Sequence, residues 1–267
     1  MAFNIRNPFS IFASVCLISA LFVSHSLCSN DDELFVNRNN GFTPALGTLY
    51  GAPNGVGCGE ACGLDDNVIR LPPFLSMIAA GNSRIFLQGK GCGDCFQIKC
   101  NREPYCSGRP ITVTITYECA GKCNDVPYHF DLSSHAFGAM AHPGQAANLR
   151  DLGQVDIHFQ RVPCNYGTTK IAFKIDKSTS PSWFSTVITY TDKDGGLKAV
   201  EIAWTGSDRF IPMRNLWGAV WVVDTNPSTH GPFSFRLTSP TNSVVFAYNA
   251  VPMDFKVGHT YFSHVNF

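Results

Sequence analysis

The sequence predicts a secreted, all-β protein of two domains, and three observations carry that reading. The 267-residue chain holds 23 Gly, 16 Pro and 21 Phe at only 15% charged residues, a composition that favours turn-rich β-structure with aromatic packing. Apolar residues alternate with polar or β-branched ones in segment after segment from Ile111 onward. Cysteines cluster in the first part of the chain and stop at Cys164, which places a domain boundary near residues 162–169, where Pro163 and Gly167 lie.

Composition also excludes several classes. Twenty basic and twenty acidic residues cancel, and no stretch concentrates Lys or Arg, so nucleic acid is not an expected partner. No glycine-rich phosphate loop occurs, which disfavours nucleotide-dependent α/β enzymes. With 45% apolar residues the chain can bury a sizeable core, and disorder is not expected.

The elements follow in order. Arg6 precedes an apolar run over residues 11–23, too short to span a bilayer, and small residues at Ser26 and Cys28 suit cleavage before Ser29. Residues 1–28 therefore read as a secretory signal peptide and residues 29–41 as a flexible polar leader. No transmembrane segment is expected. Pro72-Pro73 and Gly81 bracket an apolar segment, residues 74–80, that reads as a short helix. Ile111, Val113, Ile115 and Tyr117 alternate with threonines as the clearest strand, and Val155, Ile157 and Phe159 mark another. Between them Leu132, Ala136, Phe137 and Met140 fall at helical spacing.

Beyond the boundary only strands are expected. Ile171, Phe173 and Ile175 alternate, and residues 187–190 lead through Asp194-Gly195-Gly196, a hairpin signal, into residues 197–202. Residues 219–223, 233–238 and 244–247 complete about seven strands, the pattern of an antiparallel sandwich.

Removing the signal peptide leaves nine cysteines, at 58, 62, 92, 95, 100, 106, 119, 123 and 164, which in an exported chain read as a disulfide framework with one thiol over. Cys92-Gly93-Asp94-Cys95 is a C-x-x-C, but no second such pair or His pair stands at zinc spacing, so no metal and no cofactor is expected. Asp131, in Tyr128-His129-Phe130-Asp131-Leu132, lies where a strand meets the short helix: it is either a general acid or hydrogen-bonding group, or the cap of that helix. Hydrolysis of a glycoside needs two carboxyl groups, and spacing singles out no partner for Asp131. All four tryptophans lie after residue 167. Trp221, among valines, reads as core; Trp183, among Pro181, Ser182 and Ser185, reads as exposed and able to stack on a neutral sugar ring.

Taken together, these segments resemble the plant β-expansins, the family that includes the group-1 grass pollen allergens. The resemblance spans about residues 42–267 and rests on Thr48-Leu49-Tyr50-Gly51, Ala61-Cys62-Gly63, Gly89-Lys90-Gly91-Cys92-Gly93-Asp94-Cys95, His129-Phe130-Asp131-Leu132, Ala136-Phe137-Gly138, Trp217-Gly218-Ala219-Val220-Trp221 and Gly231-Pro232-Phe233-Ser234. It implies a six-stranded double-psi β-barrel over residues 42–166, similar to family-45 endoglucanases, and an immunoglobulin-like β-sandwich over residues 167–267 that binds polysaccharide. It also implies disulfides Cys62–Cys92, Cys95–Cys164 and Cys100–Cys106, a groove containing Thr48, Tyr50, His129 and Asp131, and an aromatic surface at Trp183 and Trp217. This sequence departs from the family pattern at Leu49, where the family has Trp, and at Thr116-Tyr117-Glu118, where the family's aspartate is lost unless Glu118 replaces it. Cys58, Cys119 and Cys123 are additional to the pattern, and two of them are expected to form a fourth bridge.

The expected function is non-hydrolytic loosening of the plant cell wall by a secreted, extracellular monomer bound to cellulose or a matrix glucan or xylan. A peripheral membrane position is also allowed. The alternatives are a paralogue that binds without loosening and a family-45-like endoglucanase.

Overall fold

The computed structural model describes residues 41–53, 60–207 and 209–267. The signal peptide, the leader before Gly41 and Cys58 lie outside the described residues.

Six strands close into a barrel: β1 (Thr43–Tyr50), β2 (Ile78–Gly81), β3 (Cys95–Cys100), β4 (Ile111–Glu118), β5 (His129–Ser133) and β6 (Gln154–Val162), in the order β1-β5-β2-β4-β3-β6. Two of its pairings, β1 with β5 and β2 with β4, are parallel. Inward side chains such as Phe96, Ile98, Ile115, Phe130, Leu132 and Ile157 are almost wholly buried and fill the interior. Gly47 is required there, because a Cβ would stand 2.9 Å from the Ile157 side chain.

The expected helix over residues 74–80 is not formed. Leu75 and Ser76 have positive φ, and Ile78–Gly81 is strand β2 instead. All four of its residues are buried between β4 and β5, so it lacks the alternation that marks a half-exposed strand. Short helices flank it at α1 (Asp66–Arg70) and α2 (Ser83–Phe86). The helix expected from Leu132, Ala136, Phe137 and Met140 is present but shorter, as α3 (Ser134–Ala139): Leu132 belongs to β5 and Met140 ends the helix, and α4 (Ala146–Asp151) packs on it.

Nine further strands form a sandwich, two more than the sequence pattern suggests: β7 (Ala172–Ile175), β8 (Trp183–Thr189), β9 (Ala199–Ala203), β10 (Ile211–Pro212), β11 (Arg214–Trp217), β12 (Val220–Asp224), β13 (Phe233–Thr238), β14 (Val244–Val251) and β15 (Thr260–Phe262). One sheet runs β10-β9-β13-β14 and the other β11-β12-β8-β7-β15. Between them lies a core that includes Phe173, Phe184, Trp221, Phe233 and Phe235.

The hairpin expected at Asp194-Gly195-Gly196 is also not formed, since β8 and β9 belong to different sheets. That turn docks on the barrel instead. A Cβ on Gly195 would lie 2.4 Å from the Gly93 carbonyl oxygen, so only glycine allows the approach. Beside it the buried Arg161 guanidinium donates to Asp94 Oδ1 at 2.5 Å and to the Asp194 carbonyl at 2.8 Å. Val187, Val220 and Val222, on the face of the five-stranded sheet turned away from the sandwich interior, belong to the barrel's own apolar cluster. Barrel and sandwich therefore share buried surface.

The structure joins Cys62 to Cys92, Cys95 to Cys164, Cys100 to Cys106 and Cys119 to Cys123. The two cysteines of the C-x-x-C thus serve different bridges. Among the described residues, no helix is long and apolar enough to cross a membrane.

Candidate functional site

Strand order builds a polar row on the outward pleat of the barrel. Phe130 and Leu132 point into the core, so Asp131 between them points out. Parallel pairing sets Thr48 of β1 opposite Asp131. On the far side of Asp131 come Ala80 of β2 and then Tyr117 of β4; on the far side of Thr48 comes Gln154 of β6. Tyr117 and Gln154 were not singled out from the sequence, because only the barrel's strand order brings them into this row.

Thr48 links two groups at the centre. Its hydroxyl donates to Asp131 Oδ1 at 2.6 Å, and its oxygen lies 2.9 Å from His129 Nε2. A threonine has one hydroxyl proton, which Asp131 receives, so the Nε2–H of a neutral His129 donates to Thr48. That leaves Nδ1 as the bare nitrogen, and it is buried without a hydrogen-bond partner. Burial pushes the Asp131 carboxyl above its ordinary value, opposed by the Thr48 hydrogen bond and by His129. Burial holds His129 below its ordinary value, opposed by the charge of Asp131. The arrangement is a half-buried acid that can donate or accept a hydrogen bond, held by a fixed neighbour.

Asp131 does not cap the following helix. Ser133 does: its Oγ accepts from Ala136 N at 3.0 Å and donates to the Ser76 carbonyl at 2.5 Å. Tyr50 is half-buried and pairs in register with Ser133. Glu118 is exposed at the end of β4 and aligns through Gly81 with Phe130, one position away from the row of Asp131.

The structure does not bring the two tryptophans side by side. On β12, which lies between them, Trp183 pairs with Asp224 and Trp217 with Val220, about 13 Å apart along the strand. Trp217 is 46% exposed and sits at the seam with the barrel, where Gly218 packs on Ala61 and Cys62. Trp183 is half-buried rather than exposed: it packs on the barrel's apolar cluster, and the Arg214 guanidinium lies 5.4 Å from its ring centroid. The local Pro and Ser signal missed this because the cover comes from a distant strand.

A closed six-stranded barrel joined to an antiparallel sandwich, with a polar row on one and a surface tryptophan on the other, defines a class of two-lobed, all-β proteins. Family models match each part: "Expansin C-terminal domain" at residues 171–252 and "Lytic transglycolase" at residues 78–159. Expansin-B6 of Arabidopsis thaliana is 44% identical over 94% of this chain and 96% of its own length. Expansin-B1 of Zea mays is 41% identical over 88% of this chain and 87% of its own length. The chain belongs to the expansin family, with B-type members as these relatives. Among solved structures, a point mutant of the Clavibacter michiganensis expansin in complex with cellohexaose superposes with a TM-score of 0.64 at 19% identity, covering 85% of this chain and 98% of the other. That likeness concerns the fold.

Proposed function

We propose that this expansin is secreted and loosens the plant cell wall without hydrolysis, by binding wall polysaccharide and displacing it from its neighbours. The observation that carries the non-hydrolytic reading is the composition of the row: Asp131 is its one carboxylate, flanked by Thr48, Ala80 and Tyr117, where glycoside hydrolysis normally requires a second carboxyl group. Thr48, Tyr50, His129 and Asp131 form the polar groove in this reading, with Glu118 at its margin. Trp183 and Trp217 supply apolar faces for sugar rings. The groove belongs to a barrel over residues 42–166 and the aromatics to a sandwich over residues 167–267. The ligand is cellulose or a matrix glucan or xylan, and the related Clavibacter protein's complex with cellohexaose supports that class. The protein acts as an extracellular monomer; among the described residues no feature favours a membrane-peripheral position.

Extension of heat-killed walls under constant load, measured together with release of reducing ends, tests the reading. Extension without sugar release is expected. Sugar release would assign an endoglucanase, and binding with no extension would assign a binding-only protein.

A further inference from the structure

Cys119 follows β4, Cys123 lies in the turn after it, and His129 opens β5, giving the spacing C-x3-C-x5-H. The two sulfurs and a ring nitrogen of His129 all lie within 4.8 Å of one another. In the oxidised protein the sulfurs are joined to each other. We propose that when this one bridge is reduced, Cys119, Cys123 and His129 form a binding site for a zinc ion.

Three observations support the site. The first is the state of the histidine. Thr48 engages Nε2, and Nδ1 is left bare, buried and without a partner in a residue only 6% exposed. A metal-binding histidine characteristically donates its other N–H to an oxygen, which fixes the tautomer and aims the lone pair; Thr48 already holds His129 in that state. The second is the donor set. Two thiolates and an imidazole suit a d10 borderline cation, the C-x3-C spacing lies within the range of zinc sites, and water can take the fourth position. Two thiolate charges also neutralise the dication, so no net charge is buried.

The third is access. Cys119 is partly exposed and Cys123 is 9% exposed, whereas the cysteines of the other three bridges are all between 0 and 5% exposed. Thiol–disulfide exchange requires a thiolate to reach a sulfur, so a soluble dithiol opens this bridge before the others. The chemistry balances. A dithiol reductant transfers two electrons and two protons to the Cys119–Cys123 bond and becomes a cyclic disulfide; the two thiols then release their protons to water as the sulfurs bind Zn2+.

The mature protein is treated with a limiting amount of dithiothreitol, opened cysteines are mapped by alkylation and mass spectrometry, and binding is measured by equilibrium dialysis with Zn2+ and by the thiolate charge-transfer absorption of Co2+. The expected result is about one zinc per reduced chain. The oxidised protein and the Cys119→Ser/Cys123→Ser variant should show no site of comparable affinity. His129→Ala should weaken binding at least tenfold, and Thr48→Val, which keeps every ligand, by roughly 10-fold or more. Circular dichroism of each variant separates loss of a ligand from loss of the fold, and the doubly substituted chain, which keeps the other three bridges, is the folded control. The proposal is overturned if dithiothreitol opens another bridge first, if chains with both thiols free bind no zinc, or if binding survives in the Cys119→Ser/Cys123→Ser variant.

Discussion

Thr48 and Asp131 stand opposite each other on parallel strands, 83 residues apart in sequence, and the threonine hydroxyl donates to the carboxylate at 2.6 Å. This bond favours the charged form of an acid that burial pushes the other way. Thr48→Val should therefore raise the Asp131 pKa further in the disulfide-bridged protein. Carboxyl-carbon NMR titration of wild type and variant measures it, and an unchanged or lowered value would contradict the assignment.

The same shift fixes a sign for stability. Because the folded-state pKa of Asp131 lies above its unfolded value, the folded state holds the proton more tightly between the two. This group's stabilising contribution is full below the unfolded value and is lost as pH rises through the folded one. Asp131→Asn removes the titration, so the stability difference, variant minus wild type, should grow as pH rises across that window. Denaturant melts at a series of pH values give the comparison, and a difference of the opposite slope would refute it.

Asp131→Asn should also separate function from folding. Since Ser133 caps α3, the exchange leaves the helix start intact, and at neutral pH the melting temperature should not fall. Wall extension should fall strongly. Ser133→Ala is the converse case: it removes the cap and the bond to Ser76, costing about 1–2 kcal/mol, without touching the groove acid. Thermal melts and extension assays on the two variants should give opposite patterns.

The two tryptophans should differ in kind. Trp217→Ala, at an exposed site, should reduce pull-down on insoluble polysaccharide about fivefold, the equivalent of about 1 kcal/mol per stacked ring, with little change in melting temperature. Trp183→Ala should in addition lower stability by about 1–3 kcal/mol, because its ring packs on the barrel cluster and under Arg214. Equal stability losses for both would reassign Trp217 to the core.

Legibility in the sequence tracked local physics. Residues 155–160 alternate because their strand, β6, has one face on the core. Residues 111–117 alternate in chemistry, apolar with threonine, and form β4, although Val113, Thr114, Ile115 and Thr116 are buried in succession there. Ile78–Gly81 could not be read that way, since every residue is buried and a run without period looks equally like a helix. Asp194-Gly195-Gly196 carries the composition of a hairpin turn, yet its glycines answer to a contact with Gly93, about a hundred residues away, that no local pattern encodes. The motif at His129–Asp131 was visible, but the company it keeps was not. Tyr117 and Gln154 share its row only through strand order, and the bare Nδ1 of His129 follows from a hydrogen-bond direction, which composition and spacing do not contain.

The valines that the five-stranded sheet lends to the barrel's cluster have a mechanical consequence. Turning one lobe against the other would expose Val187, Val220 and Val222 to water and pull Gly195 away from Gly93, so the seam resists shear as a folded core does. On the proposed reading, a polymer held at the barrel row and at Trp217 would be gripped between points whose separation this shared core maintains. A wall under tension that drags on such a polymer would meet a stiff wedge rather than a hinge, and the slack would come from the contact between one polymer and the next.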